Sequence, residues 1–572
     1  MISIKVRLEF KDIFPEEKEE NVLEYLKKVS KESLINIIGF TTTLPQPNYD
    51  NFFSNSSFQV EIINRVRKHC KEKNFQDKPV VISREGSLRL AELILANKED
   101  ILSEDRIVSK YDDEVNLFKS FLIINKEINK KSNSFNLEED NTIIEDENIS
   151  KIAMMLVSMA FPNSDLGFYE DSSQEIGKHL YAAIVRFEKL IDFILSKEEY
   201  NYLLEALLKN FKVENHLKLI RNVKYLLIEI LILKVKESFK FNVKDNESKV
   251  FLESLLSLEL KEESDFLKLR NSPIYKIDEN TFSIIDSFFV IDKFTKGVKF
   301  ILKDAYNKKH NLPKNSSAFF SFFNDEFSEK HLSKSILDEI FNKKYHYKKK
   351  IIKNAQSEPD YYIRYENKII IFEIKDISID KDVKISGNTP KILETLKNKL
   401  FKDKESSKPI GIGQLITHIK SITEKKFLFD DYIYNKKNIT IYPILLLTDR
   451  IFETPGLNFI LNDWYKKSIV ENLGKNYNPK YIKELTIVDL DTLIWHVDFF
   501  KEKDKHFIET VESHLTKMNE KKLKPYGKTQ QEFLYNLQKK IFKKLSPFSS
   551  RINITNFKIQ TFIDKFSDLI NK

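Results

Sequence analysis

The chain has 572 residues, 41% hydrophobic and 31% charged, which excludes a disordered or fibrous protein and allows roughly two to four domains. Its 94 basic and 86 acidic residues leave a formal net charge of +8, too weak a bias to indicate a nucleic-acid partner without local clustering. The single cysteine, Cys70, excludes an intramolecular disulfide and a multi-thiolate metal site, so we expect a cytoplasmic protein.

The first half of the chain is predicted to hold two regions of different character. Short alternating stretches and helical spacing over 1–150 predict an α+β region with an acidic loop near its end. Apolar residues at three- and four-residue intervals predict a mainly helical regulatory or interaction domain over 151–315. Its most apolar run, 225–235, contains Glu229 and Lys234 and is too short to span a bilayer, so we expect a buried helix and no membrane partner.

The second half is predicted to hold an α/β domain over 316–500, followed by a basic helical extension over 501–572. Helical spacing gives way there to short apolar runs, which predicts the order helix, strand, strand, strand, helix, strand. The expected elements lie at 321–342, 345–353, 360–365, 368–375, 412–424 and 439–449, with a further strand within 485–494. The predicted fold class is therefore α/β, mixed and multidomain, with a large, mainly helical N-terminal region.

Two carboxylates and a lysine fall on the two strands of a predicted hairpin. If a two-residue loop joins the strands at 366–367, Asp360 lies directly opposite Glu373, and directly opposed residues share one face of the sheet. Alternation along the strand puts Lys375 on that same face. A three-residue loop would reverse the faces, and a salt bridge of purely structural value is the alternative reading of the three residues.

Pro359-Asp360 and Glu373-Ile374-Lys375, set in this order of elements, resemble the signature of the PD-(D/E)XK phosphodiesterase superfamily of restriction-type nucleases. The resemblance covers about 319–494 and implies a restriction-endonuclease-like αβββαβ core that hydrolyses phosphodiester bonds with Mg²⁺, for which Mn²⁺ can substitute. Asp360, Glu373 and the backbone carbonyl of Ile374 offer the oxygen ligands that Mg²⁺ prefers. Lys375 would position the attacking hydroxide or stabilise charge in the transition state.

The resemblance implies further residues on the two core helices. Many members bring a glutamate from the first core helix, and Glu329 falls on its apolar arc at 100° per residue, which makes it the expected catalytic and metal-binding residue. Glu326 is the alternative, and a helix-dipole or capping role is the alternative function. Some branches carry a glutamine on the second core helix, which implies that Gln414 orients the nucleophile or contacts the backbone. Those branches have tyrosine where this chain has His418, which puts a nucleotide contact by His418 in doubt.

A basic run immediately before the predicted site indicates a nucleic-acid partner. Lys348, Lys349, Lys350 and Lys353 are expected to contact backbone phosphates without sequence specificity, and a solvated surface is the alternative. The resemblance favours DNA over RNA. A large accessory region on such a core is typical of bacterial restriction or antiphage proteins, and it leaves room for a regulatory protein partner or a homo-oligomer. The rival function is a catalytically silent scaffold that keeps the fold to bind nucleic acid or protein.

Overall fold

The structure is a computed structural model, and it divides the chain into two compact units. The amino-terminal unit comprises 2–134, 166–316 and 560–572, and the carboxy-terminal unit comprises 135–165 and 317–559. The residues that the structure describes are 6–42, 56–75, 78–132, 147–167, 173–256, 266–341, 359–384, 386–427, 429–430, 433, 438–503, 506–520, 529–552, 564 and 566–567.

The boundary between the units near residue 316 agrees with the predicted one, and the other boundaries differ. Helix Glu147–Asp165 belongs to the carboxy-terminal unit, because it packs there against Leu457–Leu473 and its last residue binds Lys384 (Nζ to Oδ2, 2.9 Å). The described residues of 501–552 belong to the same unit. Burial against distant partners decides unit membership, and helical periodicity alone carries no information about those partners.

The amino-terminal unit is mainly helical with a small sheet. Its strands are β1 (Phe241–Asn242), β2 (Ile274–Lys276) and β3 (Thr281–Ile284), which form an antiparallel sheet in the order β1-β3-β2. Its α-helices are Phe10–Ile13, Val22–Leu26, Lys31–Ile38, Ser56–Glu72, Arg84–Ala96, Lys98–Ile101, Lys110–Ser132, Ser173–Leu195, Asn201–Phe211, His216–Lys236, Asn246–Glu253, Leu267–Asn271, Ser287–Asp292 and Val298–Lys309, with a π-helical segment at Lys293–Gly297 and 3₁₀ turns at Phe40–Thr42 and Glu198–Tyr200.

The alternating stretches near the N-terminus do not form extended strands in the part of the chain described. Arg7 and Val80 meet in a single parallel bridge, and the chain enters a helix at Phe10. The helical prediction for residues beyond 151 is confirmed. No helix within the described ranges combines the length and the apolar composition that crossing a bilayer would require.

The carboxy-terminal unit is built on a four-stranded mixed sheet. Its strands are β4 (Tyr361–Tyr365), β5 (Lys368–Lys375), β6 (Thr440–Leu447) and β7 (Thr486–Asp489) in the order β4-β5-β6-β7. β4 and β5 are antiparallel, whereas β5, β6 and β7 run parallel. β6 lies inside the sheet and is buried along almost its whole length, as its continuous apolar sequence predicts.

Helices pack against this sheet, and the two that the sequence pattern places at 321–342 and 412–424 lie close to their predicted positions. The α-helices are Glu147–Asp165, Ala318–Phe322, Lys334–Ile340, Lys381–Lys384, Thr389–Leu400, Ile412–Thr423, Leu457–Leu473, Leu490–Trp495, Val497–Glu502, His506–Met518 and Gln530–Leu545, with 3₁₀ turns at Arg450–Glu453, Gly474–Asn476 and Phe548–Arg551. The strand predicted within 485–494 stops at Asp489, because the Asp489 side chain caps the next helix by accepting from the Thr492 N–H at 3.0 Å.

The helix that precedes the β4–β5 hairpin has a π-helical middle. It runs through Ala318–Phe322, a π-helical stretch Phe323–Ser333 and Lys334–Ile340, and we call the whole the segmented helix. π-Helical hydrogen bonding widens the turn and is frequent at functional sites. The strand predicted over 345–353, the first of the three consecutive strands of the predicted core, lies outside the described residues and stays a prediction.

Candidate active site

A two-residue turn fixes the register of the β4–β5 hairpin. Glu366 takes the left-handed conformation (φ 51°), and Tyr365 pairs directly with Lys368. The pairing continues to Tyr361 opposite Phe372, so the next pair outward brings Asp360 opposite Glu373. The predicted register is confirmed, and Asp360 lies just before β4 with its side chain on the face of Glu373.

Lys375 joins the two carboxylates. Its Nζ lies 3.2 Å from Asp360 Oδ2 and 3.2 Å from Glu373 Oε2. Asp360 Oδ2 also accepts a hydrogen bond from the backbone N–H of Ile374 at 2.7 Å. Burial alone would lower the pKa of Lys375, but the carboxylates of Asp360, Glu373 and Glu329 raise it above its ordinary value. The lysine therefore stays charged at neutral pH.

The predicted glutamate of the first helix reaches this group. A hydrogen bond joins Glu329 to Asp360, and burial first, then Asp360, raises the pKa of Glu329 to about 9. Glu329 is therefore the protonated partner that donates. Burial would raise the pKa of Asp360, but the Glu329 hydrogen bond and the charge of Lys375 lower it below the usual range. The alternative, Glu326, binds Lys330 at 2.9 Å on the surface instead.

Glu373 is the most deeply buried carboxyl of the group. It is 0% exposed, and burial first, then the charge of Asp360, raises its pKa well above the usual range. Its Oε1 lies 3.0 Å from Nε2 of His418, a residue that is 3% exposed. Burial lowers the pKa of His418 to about 4, so its imidazole is neutral near pH 7.

The second core helix, Ile412–Thr423, presents the two predicted residues differently. Gln414 Oε1 accepts a hydrogen bond from the backbone N–H of Gly411 at 2.8 Å, which caps the start of the helix. Its proposed help to the nucleophile stays a prediction. His418 follows one turn later among buried Leu415 and Ile419, and a lone histidine on an apolar stripe was the available signal for its contact with Glu373.

One neighbouring carboxylate was missed by sequence reasoning. Asp376 accepts from Ser328 Oγ at 2.5 Å and from Thr448 Oγ1 at 2.8 Å. These two contacts tie the segmented helix to the ends of β5 and β6. The only sequence signal for Asp376 was its position directly after Lys375. That position does not indicate that Ser328 and Thr448 would donate hydrogen bonds to it.

A pocket of about 190 Å³ lies beside Lys375. Ser321, Asn324 and Glu329 of the segmented helix line one part of it, and Lys375 and Asp376 line another. Its wall therefore combines carboxylates, neutral polar groups and a lysine. The four lysines expected to contact phosphates, Lys348, Lys349, Lys350 and Lys353, lie outside the described residues.

The donor chemistry at the site fits a hard divalent cation. Asp360, Glu373, Glu329 and the Ile374 carbonyl offer oxygen donors, and three carboxyl groups share a single ammonium. The spatial arrangement fits less closely, because Lys375 Nζ stands between Asp360 and Glu373. Across the residues that the structure describes, no three His, Cys, Asp or Glu side chains are arranged as a ready metal site. Binding would therefore require these side chains to rearrange around the ion.

Comparison with protein-family models, with curated proteins and with solved structures finds no match to this chain. The geometry and charge of the site itself are therefore what indicate its function.

Proposed function

We propose that this protein is a magnesium-dependent nuclease that hydrolyses phosphodiester bonds, with a core of the PD-(D/E)XK type. The observation that carries the proposal is the convergence of Asp360, Glu373 and Glu329 on one lysine at the end of β5. Carboxyl groups that outnumber their cation in a buried place cost stability, and such places are candidates for function.

The chemistry follows from the groups on this face. Asp360, Glu373, Glu329 and the Ile374 carbonyl would hold Mg²⁺ or Mn²⁺, which when bound polarises a phosphoryl oxygen and makes water a better nucleophile. Lys375 supplies a fixed positive charge where negative charge develops in the transition state. No side chain needs to form a covalent intermediate.

The preference for DNA over RNA and a role in bacterial restriction or antiphage defence are parts of the proposal that rest on analogy with the resembled superfamily. The large amino-terminal unit would then sense a trigger or bind a partner. The basic residues Lys348, Lys349, Lys350 and Lys353 are proposed to contact phosphates and to make binding depend on salt.

A specific observation favours a second candidate, a catalytically silent scaffold. Lys375 Nζ contacts Asp360 and Glu373 at equal distances of 3.2 Å, as a structural ion pair would. In a scaffold this contact would persist when metal is added, and the face would serve only to bind nucleic acid or protein.

Nuclease assays separate the two candidates. Wild type, Lys375→Ala and Lys330→Ala are incubated with single- and double-stranded DNA and RNA in Mg²⁺, Mn²⁺ or EDTA. Lys330 is the matched control because it is an exposed lysine of the segmented helix whose ion pairs are with Asp325 and Glu326. We expect metal-dependent cleavage by wild type and Lys330→Ala, and none by Lys375→Ala.

A silent wild type would shift the question to metal binding. Calorimetric titration with Mn²⁺ then compares wild type with Asp360→Asn. Binding that is lost in the variant supports a nuclease that awaits its trigger, whereas the absence of binding in both proteins favours the scaffold.

A further inference from the structure

The Glu373 carboxylate is held at both of its oxygens by different elements. Oε2 lies 3.2 Å from Lys375 Nζ, which belongs to the same strand. Oε1 lies 3.0 Å from His418 Nε2, which belongs to helix Ile412–Thr423. A carboxylate with one fixed partner can still rotate about its last bond, whereas one held at both oxygens has a defined orientation.

The helix that carries His418 is itself firmly placed. It packs against β5 and β6, and its face toward the sheet is formed by buried apolar residues such as Leu415, Ile419 and Ile422. His418 lies among them with almost no exposure. The imidazole therefore has little freedom to move away from Glu373, because the packing of its helix against β5 and β6 fixes its position.

The chemistry of the two groups defines the direction of the hydrogen bond. An imidazole N–H can only donate, and a carboxylate oxygen without a proton can only accept. When Glu373 is ionised, as a metal ligand must be, His418 has to donate from Nε2. The tautomer with its proton on Nδ1 would place the lone pair of His418 Nε2 against a lone pair of Glu373 Oε1.

We propose that His418 is a positioning residue for Glu373: its Nε2–H holds Oε1 so that Oε2 stays directed toward Lys375 and the bound cation. This inference rests on the proposed function, because only a metal-binding Glu373 needs this orientation. His418 does not touch the substrate. Its role differs from the nucleotide contact that tyrosine makes in the resembled branches, since its partner is a carboxylate of the site.

The test is a pair of polar substitutions that differ by one methylene. In His418→Gln the amide nitrogen stands as many bonds from the backbone as Nε2 does, so it can still donate to Glu373. In His418→Asn the amide stops one atom short. We expect Mn²⁺ affinity, measured by electron paramagnetic resonance on the full chain without substrate, to fall about 10- to 100-fold in His418→Asn and to change less than about threefold in His418→Gln.

A second buried histidine supplies the matched control. His514 lies in the same unit, is 0% exposed and hydrogen-bonds Asn458 Oδ1 through its Nε2 at 2.9 Å. Its partner is an amide, so His514→Asn is expected to lower the melting temperature without changing Mn²⁺ affinity. If His418 were only a packing residue, His418→Asn would behave like this control, and that result would overturn the inference.

A double substitution makes the test specific to the pair. In a Glu373→Gln background, His418→Asn is expected to cause no further loss of Mn²⁺ affinity, because the carboxylate that His418 orients is no longer present. An equal loss in both backgrounds would overturn the inference. Melting curves accompany each variant, and His418→Leu replaces His418→Asn if the latter does not fold.

The failure of this inference and that of the proposed function give different results. If wild type binds Mn²⁺ and His418→Asn binds it equally well, the positioning role is overturned while the metal site stands. If wild type binds no Mn²⁺ at all, both proposals are overturned together. Metal dependence of cleavage adds a further readout, since His418→Asn should raise the half-saturating Mg²⁺ concentration while leaving kcat at saturating metal nearly unchanged.

Discussion

Each of the two units buries a carboxyl group completely, but the partners that balance its charge differ between the units. Asp286 of the amino-terminal unit is 0% exposed and receives two hydrogen bonds from Arg84, at 2.6 and 2.7 Å. It also caps a helix by accepting from the backbone N–H groups of Phe288 and Phe289. Glu373 of the carboxy-terminal unit is equally buried but shares Lys375 with two other carboxyl groups.

The difference separates a structural charge from a candidate functional one. Asp286 has its own guanidinium in fork geometry and saturated acceptor sites, so its burial is compensated locally. Around Glu373 three carboxyl groups share one lysine, and burial raises the pKa values of Glu329 and Glu373, which favours their uncharged forms. Burial alone therefore does not indicate function, whereas buried carboxyl groups that outnumber their cation mark a candidate site.

The largest expected effect tests the compensated pair. Arg84→Met leaves Asp286 buried without its cation, so we expect a loss of about 3–5 kcal/mol in the free energy of unfolding of the amino-terminal unit. Urea denaturation measures it. The double variant Arg84→Met/Asp286→Asn should recover much of the loss, and a single-variant loss below about 1 kcal/mol would contradict the assignment of a structural pair.

The second prediction applies the matching neutral substitution to the other carboxylate. Glu373→Gln removes the charge that we propose binds the metal, so we expect cleavage to fall about 10³-fold, which corresponds to about 4 kcal/mol of transition-state stabilisation. The melting temperature should stay nearly the same, because the raised pKa already favours the uncharged form of Glu373 in the metal-free protein. Rates on the cleaved substrate and a melting curve test this, and a variant that melts lower while keeping its activity would reverse the comparison.

The third prediction concerns a buried base. Burial first, then Arg551, lowers the pKa of His514 to about 3 from an unfolded value near 6.5. Between pH 6.5 and 3 His514 therefore binds a proton in the unfolded chain but not in the folded chain. The free energy of unfolding has its full value above pH 6.5 and falls as the pH drops toward 3. We expect a loss on the order of 2 kcal/mol by pH 5. Denaturation of wild type and His514→Gln at pH 7 and 5 measures it, and an equal slope in both proteins would exclude His514 as the cause.

The smallest expected effect on stability is at the edge of the site. Glu329 donates a hydrogen bond to Asp360, and Glu329→Gln keeps a donor of similar shape. We expect the free energy of unfolding to change by less than about 1 kcal/mol, while cleavage falls because a proposed metal ligand is lost. Glu326→Gln, on the exposed side of the same helix, is the control that should leave both quantities unchanged.

The hairpin and the convergence of its charged side chains could be predicted from the sequence alone. Alternation and a two-residue loop are local properties, and they sufficed to bring Asp360, Glu373 and Lys375 together. The continuous apolar run of β6 likewise predicted a strand inside the sheet. Local periodicity also indicated that Glu329 faces inward, although the ideal helical angle used for that prediction does not apply to a π-helical stretch.

Contacts between residues that lie far apart in the chain could not be predicted from the sequence and are seen only in the folded structure. His418 meets Glu373 across 45 positions, and Ser328 meets Asp376 across 48. Helix Glu147–Asp165 joins the carboxy-terminal unit although more than 150 residues of chain separate it from the segmented helix. Local patterns fix which face of an element is buried, but packing among all the elements decides what that face meets.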